Sequence, residues 1–249
     1  MNLWNWLIGK DFPGATFVPY TLPHYLMLAA WAIIIILILW WGQHTTPTAR
    51  RRFRIGYAIL MSVDYLAWNL WTLLAGSWDV HEMLPLHFCT ITGIIGIAAL
   101  FTGKQRLYEV SYLLSISGAL ATLSSPDIGL YGPPHYLFFQ IFFSHCSMIL
   151  AALWMTIVEG YRPYPPSLLR VTLYAAIYLP IVYLINRWLG ANYIFLASKP
   201  PFASPLDYLG PYPWYILSMV AIGLALAGLF YLPFLLRDLR KQKTLSEFS

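Results

Sequence analysis

Two residue types in this chain can supply a nucleophile and a base: cysteine, at Cys89 and Cys146, and histidine, above all at His87 and His145. Cys89 stands in LPLHFCTIT, residues 84–92, at the head of the apolar run GIIGIAALF. A thiol in apolar surroundings is ordinarily a small inert hydrophobe. Beside a base it yields a thiolate, which attacks carbonyl carbon. His87 is the nearest imidazole in sequence, but two residues along a helix is a turn of about 200°, so it faces away from Cys89. It is read as a cap or a hydrogen-bonding group at the membrane interface. His145, in FFSHC, lies among Ile141, Phe142, Met148 and Ile149, where an unpaired imidazole is costly. Two partners are open to it: the thiol of Cys89, or a backbone carbonyl or serine.

Other polar groups extend the candidate site. Asp64 falls in the middle of an apolar stretch, where a carboxylate costs about 2.5–3.5 kcal/mol to insert in a membrane. With Trp68 and Trp71 it forms a polar-aromatic stripe. It has either a structural hydrogen bond or a part in a proton or substrate path. Asn69, Ser125, Asp127, His135, Asn186 and Asn192 are further candidates for support or substrate binding. His81, His87, Cys89, His135 and His145 could be taken for metal ligands, but there is no CxxC or HExxH spacing, so no metal and no other cofactor is expected. A disulfide between Cys89 and Cys146 is not expected, since both lie in apolar segments.

These residues need elements to hold them. Of 249 residues, 59% are hydrophobic and 10% charged, against roughly 25% charged in soluble domains. That balance cannot cover a surface facing water, so lipid is the solvent for most of the chain. The fold class is all-α: a polytopic membrane protein forming one domain over residues 1–249. Seven spans are expected, at about 22–42, 55–75, 84–101, 107–125, 136–159, 168–189 and 212–236, since roughly 20 apolar residues cross the hydrocarbon core. Pro85 is placed in the first turn of the third, where a missing N–H costs nothing. The start, MNLWNWLIGK, lacks a signal peptide's pattern and reads as a short interfacial segment. The net charge of +5 is distributed by topology and does not imply nucleic acid. Arg50, Arg51, Arg52, Arg54, Lys104, Arg106, Arg162, Arg170, Arg237, Arg240, Lys241 and Lys243 fall on one side, Lys10, Arg187 and Lys199 on the other. By the positive-inside rule the amino terminus is outside and the carboxyl terminus cytoplasmic.

With that orientation Cys89 and His145 both belong to the outer half of the membrane. So do Asn69, Asn186, Thr122, Ser124 and Ser125, while the inner half offers little beyond Ser111. A polar chamber open to the outer side is expected. Cys89, Thr92, Gly93 and Gly96 share one small-residue face, and Ser111, Ser115, Gly118, Thr122 and Ser125 form another, as close helix packing requires. The aromatic, proline-laden loop 190–215 is expected to fold back as a lid or a re-entrant piece, or to lie in the interfacial aromatic belt.

The stretches LPLHFC, SSPDIGLYGPPHY, FFSHC, ANYIFLASKP and LGPYPWY, in this order, resemble the bacterial YwaF-like integral membrane proteins, relatives of the eukaryotic transmembrane protein 164 acyltransferases. The likeness runs from about residue 15 to about residue 236. It implies a lipid acyltransferase in a bacterial plasma membrane, with membrane phospholipids as substrates. By position the cysteine of LPLHFC is Cys89 and the histidine of FFSHC is His145, which the resemblance makes the catalytic pair. A more distant likeness is to the androgen-induced-protein lipid hydrolases, which use threonine and histidine. The contrasting function is a small-solute transporter or binding protein with Asp64 as a proton-linked gate; it requires polar groups reaching both sides of the membrane.

Overall fold

The computed structural model describes residues 3–126, 128–200 and 205–247, and these contain helices and loops but no strand. A short α1 (Leu3–Leu7) precedes α2 (Leu22–Gln43), α3 (Pro47–Leu74) and α4 (Phe88–Thr102). α5 (Gln105–Val110), a π-helical turn (Ser111–Ser115) and α6 (Ile116–Ser124) run on as one rod. α7 (Tyr136–Leu153) is prolonged by a second π-helical turn (Trp154–Val158), and α8 (Pro165–Leu189) and α9 (Trp214–Glu247) follow. Prolines sit in the first turns of α2, α3 and α8, where the lost N–H has no helical acceptor. Gly103 and Gly190 end α4 and α8 with φ of 63° and 71°, a conformation that favours glycine.

Four stretches are long and apolar enough to cross a membrane: Leu22–Gln43, Tyr136–Val158, Pro165–Leu189 and Trp214–Gln242. The chain is a helical membrane protein. Of the Tyr136–Val158 window 61% is buried, against 11% for each of the other three. α7 is therefore the central post, and α2, α8 and α9 turn their apolar side chains outwards. Around α7 the core gathers Ala58 and Met61 of α3, Ala99 and Leu100 of α4, and Leu113, Leu150 and Trp154. Small residues set the approach of α4: a Cβ on Gly96 would lie 3.1 Å from Ser111 Oγ, and one on Gly118 would lie 3.0 Å from the Phe88 ring and 3.3 Å from Cys89 Sγ. Gly96 and Gly118 are thus packing positions.

The third apolar segment departs from expectation. α4 begins at Phe88 with His87 at its N-cap, so Pro85 precedes the helix rather than sitting in its first turn. Its fifteen residues reach about 22 Å, short of the roughly 30 Å core. The chain before it, from Val80 to His87, is non-helical and is bonded to other parts of the protein. Tyr193 Oη accepts from Leu84 N at 3.0 Å and donates to Val80 O at 2.5 Å. Asn186 grips Tyr193 in turn, Nδ2 to its carbonyl at 2.9 Å and Oδ1 from its N–H at 2.8 Å. Asn192 shapes the next turn, accepting from Ala197 N and Ser198 N, and Tyr215 Oη donates to Phe195 O. Residues 192–198 of the loop thus fold back onto α8 and the chain leading to α4, while 201–204 lie outside the described residues. Asn186 and Asn192 are its fasteners.

The opposite end of the bundle is richer in polar groups than expected. Glu109, 1% exposed, accepts from Arg170 Nε at 2.8 Å and Nη2 at 2.7 Å, and from Gln105 Nε2 at 3.0 Å. Charge in the sequence marked a helix boundary here, whereas the carboxylate is buried because a guanidinium from α8 reaches it. Arg50 donates to Gly42 O at 2.8 Å and Gln43 O at 2.9 Å, while Arg54 donates to Leu100 O at 2.5 Å and pairs with Glu159 at 3.0 Å. Both cations sit on carbonyls at helix C-termini, where the helix dipole favours them.

Candidate functional site

A cavity of about 260 Å³ opens between α3, α4 and α7. α3 gives Met61, Asp64, Tyr65 and Trp68; α4 gives Cys89, Thr90, Gly93, Ile94 and Ile97; α7 gives Gln140, Ile141, Phe143, Ser144, His145, Ser147 and Met148. Each set recurs at three- and four-residue steps, one face of each helix. Cys89 is in the first turn of α4 and His145 nine residues beyond Tyr136, yet both line this space.

The two groups have definite partners. His145 Nδ1 lies 2.9 Å from Ile141 O and 3.0 Å from Ser144 Oγ. A carbonyl can only accept, so Nδ1 carries the hydrogen and Nε2 keeps the lone pair of the neutral ring. The backbone bond is one of the two partners that the sequence left open. Cys89 Sγ lies 3.6 Å from Thr122 Oγ1 on α6, and no hydrogen bond joins Cys89 to His145. Cys89 and Cys146 are both free thiols, and Cys146 packs in an apolar cluster with Phe138 and Phe142.

Asp64 Oδ2 accepts from Gln140 Nε2 at 3.1 Å, which ties the middle of α3 to α7. Gln140, Ser144 and Ser147 escaped the reading of the sequence. Their spacing at i, i+4 and i+7 was the available signal, a polar stripe on an otherwise greasy helix. The buried serine hydroxyl of Ser147 has no hydrogen-bond partner.

The remaining candidates lie elsewhere. Asn69 Nδ2 donates to Tyr65 O of its own helix at 2.9 Å, so it does not face the cavity. Ser125, exposed, caps the end of α6. His87 makes no side-chain capping bond; its ring stands edge-on to Tyr193 with centroids 5.0 Å apart. His135, fully buried, caps α7 by accepting from Leu137 N at 3.2 Å, and its Nε2 donates to Gly9 O at 3.1 Å. Asp127 lies outside the described residues. No group of three or more His, Cys, Asp or Glu side chains that could hold a metal forms among the described residues.

The family model described as the TMEM164 family matches residues 19–231, most of the chain and all three walls of the cavity, and the chain belongs to that family. No curated protein and no solved structure matches it.

Proposed function

From membership of the TMEM164 family, with which a membrane acyltransferase-like role is consistent, we propose that this protein is an intramembrane lipid acyltransferase, or lipid ester hydrolase, acting through Cys89 and His145. The observation that carries the reading is their presence on facing helices of one cavity with the basic nitrogen of His145 left unbonded. The resting thiol is held by Thr122. Rotation about the Cα–Cβ bond of Cys89 turns it towards His145. Nε2 then takes the thiol proton, and the sulfur attacks the ester carbonyl of a phospholipid. The C–S bond forms, the C–O bond breaks, and the lyso-lipid leaves with the proton from His145. A second lipid hydroxyl, or water, attacks the thioester; its proton passes through His145 to the departing thiolate. About 260 Å³ holds the reacting part of a lipid and not the whole, so the chains remain in the bilayer.

Under this proposal the rods and helices make seven spans with the amino terminus outside, in a bacterial plasma membrane, and the chain is of the YwaF-like branch. The arginine-rich end of the bundle supports that orientation. The small-solute reading requires a route past Asp64 through the bundle. The packed layer of Ala99, Leu100, Leu113 and Leu150, none more than 0% exposed, favours a pocket over a channel. In a purified exchange assay, Cys89→Ser and His145→Ala are each expected to keep the fold and lose acyl exchange. Exchange at wild-type rates by both variants rejects the proposal.

A further inference from the structure

Hydroxyls in these helices bond back to their own backbone. Ser62 donates to Ala58 O, Thr92 to Phe88 O, Ser117 to Leu114 O, Ser144 to Ile141 O, Thr156 to Ala152 O and Thr172 to Leu168 O, at 2.8–3.1 Å. That is the ordinary fate of a hydroxyl where water is absent. Ser147 does otherwise. It is 0% exposed, it lines the cavity shared by Cys89 and His145, and its Oγ has no hydrogen-bond partner. Beside it lies Tyr57, 7% exposed; the two hydroxyls are close enough to interact, yet neither makes a hydrogen bond of ordinary geometry. A buried polar group without a partner needs a physical reason. A donor held ready for charge that appears only during reaction is such a reason.

We infer that Ser147 is a catalytic residue, the oxyanion donor of the site, and that it recognises the carbonyl oxygen of an acyl ester. The inference rests on the proposed acyl-transfer function and deepens it. As sulfur bonds to the carbonyl carbon, the C=O π pair moves onto oxygen, and the Ser147 O–H donates to that oxyanion. On collapse the pair returns, the C–O bond to the lyso-lipid breaks, and His145 protonates the departing oxygen. Tyr57 is a positioning residue. In the reacting state its Oη donates to a lone pair of Ser147 Oγ, and the serine hydrogen turns to the oxyanion. Asn69 and the serines of α6 bond to backbone or lie outside the cavity.

The test uses the purified full-length protein and two thiol probes. A long-chain alkyl trifluoromethyl ketone adds to the thiol and carries an oxyanion; iodoacetamide alkylates it without one. Ser147→Ala is expected to lower kcat for acyl exchange on the order of 10²-fold, with KM changed less than about twofold. It should weaken inhibition by the ketone by a similar factor. Its iodoacetamide rate should stay at the wild-type value, and its melting temperature should be unchanged or higher, since an unsatisfied buried hydroxyl is removed. Wild-type kcat and ketone inhibition in Ser147→Ala overturn the inference. So does a fall in melting temperature and in iodoacetamide rate alongside kcat, which marks a structural role. Exchange that survives Cys89→Ala fails at the earlier step and overturns both readings.

Discussion

In the proposed mechanism Cys89 and His145 divide the work according to their different resting partners. The imidazole is anchored through Nδ1 to Ile141 O, which fixes its tautomer and spends no lone pair of Nε2. The thiol is held by a neutral threonine, a weak partner that rotation can exchange for a better one. Replacing Thr122 by valine keeps the shape and removes that tether. Alkylation of Cys89 should then be unchanged or faster and exchange retained; loss of exchange would give Thr122 a role beyond tethering the thiol. Asp64 poses a different residue-scale problem. Its bond from Gln140 survives in Asp64→Asn, whose side-chain oxygen accepts as before. Removing an ionisable group from the bundle interior should leave the melting temperature in detergent unchanged or raise it. A drop of several degrees contradicts a role limited to that hydrogen bond. The anchors in the reading of the sequence were types and depths: a thiol, an imidazole and a carboxyl in apolar runs. Gln140 and Ser147 were missed because one glutamine or serine in a helix is unremarkable until the helix facing it is known.

Elements are tied by polar bonds at their ends. Glu109 is the clearest case, since its carboxylate is enclosed and satisfied by Arg170 and Gln105. Arg170→Met leaves that charge buried and unpaired, and it is expected to cost about 3 kcal/mol of stability, near the lower end for broken buried pairs because the guanidinium is partly exposed. Adding Glu109→Gln should recover much of the loss in a denaturation series. At the other end His135 joins α7 to the chain before α2. Burial depresses its imidazole, against the opposing bond to Gly9 O. The unfolded chain therefore binds the proton more readily, so stability is full above the unfolded value near 6.5 and falls as pH drops below it. Protonation puts a hydrogen on Nδ1, facing the N–H of Leu137 that it now accepts. Melting temperature should decline between about pH 7 and pH 5, and His135→Gln should flatten the decline. The start of α4 was misjudged from sequence for an element-scale reason. Leu84 and Leu86 continue the apolar run, but Tyr193 Oη accepts from Leu84 N and Tyr178 Oη donates to Leu86 O, from 109 and 92 residues away. Hydropathy carries no record of such a partner.

At the scale of the whole molecule, α7 is enclosed and α2, α8 and α9 present their apolar sides outwards. Composition alone made the membrane environment legible, since 10% charged residues cannot clothe a soluble protein of this length, but not which helix is enclosed. Which helices enclose the cavity was not legible, because α3 and α7 meet far apart in the chain, Asp64 bonding Gln140 across 76 residues. The proposed orientation makes a separate prediction. In a cysteine-free background, Ser77→Cys should react with an impermeant maleimide in intact cells, and Thr45→Cys only after the membrane is opened. The reverse pattern inverts the topology and places the cavity's mouth towards the cytoplasm.

The most direct measurement is mass spectrometry of the peptide bearing Cys89 after the protein meets a phospholipid with an isotopically labelled acyl chain. The mechanism predicts a labelled thioester on Cys89 that disappears when an unlabelled lyso-lipid is added, and that is absent from His145→Ala. Acyl exchange proceeding at full rate while Cys89 stays unmodified and replaceable by alanine would contradict it.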